Sequence, residues 1–370
     1  MCRRARTRLC DGGPTGNGGD RPVTCGLLST MGHAVAGTSA RATEDYQRPD
    51  TNPAPRELPG VVGRMQRHRI QAKETLLDVA RDAGLGFNEV QDANPGVDEW
   101  VPPLGFETVV PTQWIVPRSS YHGLVVNIPE MRLYLFPQHS HPGEVVTVRT
   151  WPIGIGTDET PSPVGSFSIT AKDKHPTWYV PDSIYHTMDP PKRRVVPPGP
   201  DNPLGDYRLR LSKGLYSIHG TDVPWSVGRL TTHGCIRLYP EDISDLFPLV
   251  HLGAVGELIY EPIKFGESNG QVYVEVHDDL YRRITDLQRE ARKLAGQAQL
   301  TDRIDRARLR RAVQEKRGVP VAVTAGATVV ARTADSLGVD GREEETDRPS
   351  RGVSTRSTRS RRSWRPAKSP

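Results

Sequence analysis

The sequence predicts a mainly β body with a small α+β module ahead of it and a helical extension behind it. Three observations carry that prediction. Between Tyr121 and Pro262, short alternating apolar runs are separated by Pro, Gly and Asn turn signals, as in antiparallel strands. Apolar spacing of helical period is confined to the stretch around 76–93, a short run after Tyr239 and the chain beyond Asp278. Both ends lose all periodicity and turn to Gly, Pro, Arg and Ser.

The ends account for an unusual composition. The 370 residues have room for two or three domains, yet only 35% are hydrophobic, with 35 Gly and 33 Pro. Residues 1–60 read as a disordered leader. Within it Arg3, Arg4, Arg6 and Arg8 precede a weakly apolar stretch from Val23 to Ala36 and then Ala40-Arg41-Ala42. That is the order of an export signal and its cleavage site, although Gly26, Gly32 and His33 interrupt the apolar part. No run is long enough to span a bilayer. The net charge is +5, but Arg348 to Pro370 holds eight Lys or Arg and no acid, so the rest is mildly acidic. A nucleic-acid partner is therefore not expected of the folded part. Residues 324–370 read as a disordered basic tail.

In chain order, the module occupies 67–117. A short strand at Arg69-Ile70-Gln71-Ala72 leads to a helix on which Leu76, Val79, Ala80 and Ala83 share one face behind Thr75. Phe87, Val90 and Ala93 mark a second helix ending at Asn94-Pro95, and Thr108 to Pro111 a closing strand. The body occupies 121–262. It opens with a hairpin, Leu124 to Ile128 and Met131 to Phe136, turned at Pro129-Glu130. A long strand from Val145 to Ile155, the loop Thr160 to Gly165 and strands at Ser166 to Thr170, Arg208 to Leu211 and Tyr216 to His219 follow. Between these lies a Pro-rich excursion, Lys174 to Pro203, too irregular for a sheet. It reads as a cover over a groove, with Trp178 and Tyr179 as candidate substrate contacts; aromatics that simply pack the loop down are the plainer reading. Tyr239-Pro240-Glu241-Asp242 starts a helix with Pro and acids in its first turn, and Val255 to Tyr260 closes the sheet. The extension, 271–323, is expected as a strand at Gln271 to Val276, a helix from Asp278 to Leu294 with Leu280, Ile284, Leu287, Ala291 and Leu294 in one seam, and a second helix from Thr301 to Lys316.

The chemistry concentrates in one stretch. Ser217-Ile218-His219-Gly220-Thr221 is followed, after an insert, by Thr231-Thr232-His233-Gly234-Cys235-Ile236-Arg237-Leu238. Four cysteines are present, Cys2, Cys10, Cys25 and Cys235, and only the last lies in the body, so there is no disulfide framework. A thiol is mostly protonated at neutral pH and needs an imidazole to take its proton, which His219 supplies. Gly234 leaves the amides around Cys235 open toward an oxyanion. Two other readings remain at this point. A cysteine beside an apolar run is commonly a small core residue. His219, His233 and Cys235 are also zinc-ligand types.

The whole string resembles the signature of the L,D-transpeptidases, the YkuD domain, with Thr232 where the family usually has serine. Thr160-Pro161 and Gly165-Ser166-Phe167 fit the same pattern. The resemblance implies a β-sandwich or barrel and a cysteine acyltransferase of peptidoglycan that needs no cofactor. It implies Cys235 as nucleophile, His219 as proton carrier, the Gly220 carbonyl as holder of its tautomer, Gly234 and Cys235 amides as oxyanion donors, and His233 as a motif residue lining the site. Arg237, Thr232, Thr221, Trp178 and Tyr179 are the expected substrate contacts. Stem peptides are the expected substrate, with another stem, an outer-membrane lipoprotein or water as acceptor, in the periplasm or cell envelope. Water would make the chain a carboxypeptidase or cross-link hydrolase. Residues 67–117 are similar to a LysM module, with Lys73-Glu74-Thr75-Leu76 and Asn94-Pro95-Gly96 in the matching places, which implies binding of N-acetylglucosamine-containing glycan. The extension resembles that of the ErfK/YbiS-like branch. A non-catalytic wall-binding protein is the alternative of another class.

Overall fold

The computed structural model describes residues 43–47, 58–137, 145–186 and 193–326. The possible export signal and the basic tail beyond 326 lie outside the described residues. The fold is mainly β. Its centre is a nine-stranded sheet in the order Thr43–Gln47, Val145–Pro152, Arg132–Phe136, Gly123–Asn127, Val255–Ile259, Gly165–Lys174, Tyr207–Leu211, Ser217–His219, Ile236–Arg237. Two neighbouring pairs are parallel, Gly123–Asn127 with Val255–Ile259 and Ser217–His219 with Ile236–Arg237; the other pairs are antiparallel.

Strand alternation divides the sheet between two cores. Leu124 and Val126 face a core with Phe167, Leu209, Ile218, Ile236 and the helix Pro240–Leu249. Val125 and Tyr134 face the other way, onto Leu76, Val79, Val90 and Trp114 of the module. The module is thus the second layer of the sheet. Its helices Leu76–Asp82 and Phe87–Ala93 lie between the strands Gln66–Arg69 and Glu107–Val110, which pair antiparallel. Thr75 caps the first helix, accepting the Asp78 N–H while Asp78 accepts the Thr75 N–H. One buried ion pair ties the layers: Arg132 of the sheet meets Glu89 of the second helix at 2.6 Å, and Trp114 Nε1 donates to the same carboxylate at 2.9 Å.

Several expectations are corrected. The leader is not unstructured throughout, because Thr43–Gln47 pairs with Val145–Arg149 as an edge strand. The module begins earlier than 67, because Val61–Gly63 pairs with Gln113–Ile115. The extension begins earlier than 271, with the strand Ile263–Ser268 pairing Gln271–Val276. Its first helix runs over Leu287–Gln297 rather than from Asp278. The reason is local: Asp279 accepts the Arg283 and Ile284 amides and the Tyr260 hydroxyl, which holds an irregular turn, and Asp286 then caps the helix. Leu280, freed from the helical seam, packs on the body core beside Tyr281. The second helix, Arg306–Glu315, starts at the Asp305 cap instead of Thr301. Within the excursion, Trp178–Tyr179 and Val195–Val196 form a two-stranded ribbon where no strand was expected.

Body, module and extension meet at a fully buried charge cluster. Lys264 Nζ lies 2.8 Å from Glu130, 2.7 Å from Glu275 and 2.7 Å from the Ile115 carbonyl that accepts its bond. His277 contacts Glu275 at 2.7 Å, and the Ile115 amide donates to it at 2.6 Å. The Tyr134 hydroxyl donates to Glu130.

Candidate active site

Parallel pairing assembles the site. Ile218 is in register with Ile236 and His219 with Arg237, so Ser217 stands beside Cys235. Residues two apart share a face. Ile218 and Ile236 go into the core; Ser217, His219, Cys235 and Arg237 line the opposite side, in one cleft of about 430 Å³. Arg208, in antiparallel register with His219, joins them from the next strand.

His219 is buried, and its Nδ1 donates to the Gly220 carbonyl at 2.7 Å, which leaves the Nε2 lone pair available. Burial lowers its pKa to about 3, and the guanidinium of Arg237 works in the same direction. The resting imidazole is therefore neutral, with its Nε2 unprotonated. Burial likewise lowers the pKa of Arg237, against the attraction of Asp222 and Cys235. Its Nε is buried without a hydrogen-bond partner.

The nucleophile sits on a loop braced from behind. Gly234 has φ +98°, and a Cβ there would stand 2.4 Å from the Tyr216 ring, so no other residue fits. Thr232 Oγ1 donates to the Cys235 carbonyl at 2.7 Å and accepts the Gly234 N–H at 3.1 Å. The Thr232 carbonyl accepts the Thr157 N–H and the Thr160 hydroxyl. Tyr281 of the extension closes the brace, donating to Gly156 O at 2.9 Å and accepting the Ser162 N–H at 3.1 Å.

These bonds engage three of the residues expected at the site. Thr232 is buried and holds the loop, its hydroxyl bonded to backbone on both sides. The Gly234 amide donates to that hydroxyl at 3.1 Å. Thr221 is buried outside the cleft lining, where its Oγ1 accepts the Val223 N–H at 2.9 Å. Trp178 and Tyr179 do line the cleft, with Ile184 and Leu204. Asn202 rivets this cover: its Nδ2 donates to Pro176 O at 2.8 Å and its Oδ1 accepts the Leu204 N–H at 2.9 Å. His233 is exposed on the rim. The donor atoms of His219, His233 and Cys235 do not gather as metal ligands would. Among the described residues Glu130, Glu275 and His277 do, and there the Lys264 ammonium sits against both carboxylates. Sequence reasoning missed Ser217, Arg208 and Tyr281. The Ser-x-His alternation within a strand was the available signal for Ser217.

The family model for the L,D-transpeptidase catalytic domain, YkuD, matches residues 121–264. The probable L,D-transpeptidase YbiS of Escherichia coli strain K12 is 37% identical over 237 residues, 62% of this chain and 76% of that protein. The probable L,D-transpeptidase ErfK/SrfK of the same strain is 33% identical over 305 residues, 75% of this chain and 91% of that protein. Among solved structures, the catalytic domain of the E. faecium L,D-transpeptidase aligns over 39% of this chain and 100% of its own, at 21% identity and a TM-score of 0.29.

Proposed function

The chain belongs to the YkuD family of L,D-transpeptidases and acts on peptidoglycan, and from that premise we propose a route through a Cys235 thioester. The Cys235 sulfur attacks the carbonyl joining the third and fourth residues of a tetrapeptide stem, while His219 Nε2 takes the thiol proton. The amide C–N bond breaks, the imidazolium returns its proton to the leaving nitrogen, and D-alanine departs. An amine of a second stem, or of an outer-membrane lipoprotein, then attacks the thioester. His219 takes its proton and passes it to the departing sulfur, restoring Cys235.

The observation that carries this reading is the shared sheet face, on which in-register pairing sets Ser217, His219, Cys235 and Arg237 around one cleft. The Cys235 amide serves as the oxyanion donor, with Gly234 joining it when its bond to Thr232 lengthens. Arg237, with its unpartnered buried Nε, takes the carboxylate of the terminal D-alanine. Trp178 and Tyr179 cover the stem in the cleft, and His233 lines its rim. The work belongs to the cell envelope; its compartment is the periplasm, where an exported chain meets the wall. The module at 67–117 is the contact with glycan.

Incubation with a carbapenem followed by intact-protein mass spectrometry tests the thioester. One adduct per chain, mapping to Cys235 and absent from Cys235→Ala, is expected. An adduct elsewhere, or transpeptidation by purified Cys235→Ala protein, would falsify the route. Muropeptide products identify the acceptor: cross-linked dimers for an amine, shortened stems for water.

A further inference from the structure

The cleft around Cys235 is one-sided in charge. Arg208 and Arg237 both line it, and no Asp or Glu is among the lining residues. Backbone register sets the two cations in one row: Arg208 pairs with His219 across the antiparallel strands, and His219 with Arg237 across the parallel ones. The base therefore stands between two guanidiniums. Two strand spacings, about 10 Å, separate the backbones that carry them. Burial, then Arg237, and more weakly Arg208 hold the His219 pKa down, which places the Arg208 charge within reach of the base. The terminal D-alanine carboxylate occupies Arg237 alone.

A cross-strand ion pair does not account for Arg208. Asp173 lies opposite it in register on Gly165–Lys174 and accepts its Nε at 2.9 Å. The same Asp173 oxygen accepts the Arg210 Nε at 2.7 Å. One carboxylate serves two guanidiniums, so one positive charge is left over. The Arg208 side chain is 16% exposed, and its Nε bond is the one hydrogen bond that it makes among the described residues. Its two terminal nitrogens are thus left for a ligand in the cleft. Paired donors in a fixed fork match a carboxylate, and a guanidinium this far from water is stabilised when one binds it.

We infer that Arg208 is a specificity-determining residue, selecting acyl donors that carry a second carboxylate beyond that of the terminal D-alanine. The inference rests on the acyl-transfer reading above and adds a requirement to it. A stem laid across the row sets its reacting carbonyl at His219 and Cys235, its terminal carboxylate at Arg237 and the second carboxylate at Arg208. That second group belongs to the side chain of the third residue or to the second residue of the stem. A donor bearing an amide in its place leaves the Arg208 fork without its anion.

The test measures D-alanine release by the full chain from synthetic tetrapeptides, with hydroxylamine as the amine acceptor. One donor carries free carboxylates on its second residue and on its third side chain; in two others one or the other is a carboxamide. The parent chain is expected to lose about tenfold in kcat/KM with one of the amides, and that amide identifies the source of the second carboxylate. Arg208→Gln should bring acid and amide to within about twofold of each other, and Arg208→Lys, which keeps the charge, should keep part of the preference. A merely structural Arg208 would slow all donors alike and leave their ratio untouched. Equal rates with all three donors in the parent chain, or a full preference retained by Arg208→Gln, would overturn the assignment. A parent chain that cleaves no donor and takes up no carbapenem would overturn the acyl-transfer reading itself, and the assignment with it.

Discussion

The Ser217 hydroxyl oxygen lies 3.8 Å from the sulfur of Cys235, on adjacent parallel strands and on the face that also carries His219. A hydroxyl there can turn its hydrogen toward a thiolate that has just lost its proton to the imidazole. Ser217→Ala should therefore slow iodoacetamide alkylation of Cys235 at pH 7 about fivefold, the worth of roughly 1 kcal/mol, and leave the plateau rate at high pH unchanged. An unaltered pH–rate profile would remove Ser217 from the chemistry.

Acid should destabilise the fold through His219. In the folded chain burial holds its pKa at about 3, whereas the unfolded chain takes up the proton near the ordinary value of 6.5. Between those two values the unfolded state binds more protons. The stabilising contribution is complete above pH 6.5 and is lost as pH falls toward 3, at about 1.4 kcal/mol per pH unit. Urea titrations from pH 4 to 7 should give a shallower slope for His219→Gln than for the parent chain; parallel slopes would refute the assignment.

Asn202 carries the cover over the cleft. Its amide also reaches Val196 O at 3.3 Å and Pro197 O at 3.1 Å, so Asn202→Ala strands the buried Pro176 carbonyl and frees two part-buried ones at once. We expect a loss of about 1–3 kcal/mol in stability. Trypsin should cut faster at Arg193 and Arg194, and acylation of Cys235 should become slower. Wild-type resistance to trypsin would show that the excursion is held by other contacts.

Removing the ammonium at the three-way junction should be costly. Lys264→Met leaves Glu130 and Glu275 buried against each other, and a broken buried pair typically loses about 3–5 kcal/mol. Adding Glu275→Gln should recover part of the loss, as seen by chemical denaturation. A Lys264→Met chain as stable as the parent would mean that water reaches the cluster.

Much of this was legible before any coordinates. The hairpin at Pro129-Glu130, the Thr75 cap and the His219/Cys235 pair all announce themselves within a few neighbouring residues. What escaped depends on partners far along the chain. Val61–Gly63 and Gln113–Ile115 are three residues each, too short for a period to show, and are strands because they find one another. The extension helix starts later than its sequence pattern implies because Leu280 and Ile284 keep a helical spacing that Asp279 overrides by capping the backbone locally. Ser217 stayed hidden because its neighbour is set by a parallel register that local pattern does not encode. The bond from the Thr232 hydroxyl to the Cys235 carbonyl is likewise absent from the motif, which names a position without giving the direction of its side chain.

Arg132 belongs to the sheet, but the carboxylate that neutralises it belongs to Glu89, outside the span that matches the catalytic family. An excised 121–264 fragment would keep a guanidinium designed for a dry interface and lose its counter-ion, along with the indole of Trp114 stacked at 4.2 Å. The unit that evolution recognises and the unit that physics holds upright differ in this chain. A recombinant chain should therefore begin no later than the strand at Val61.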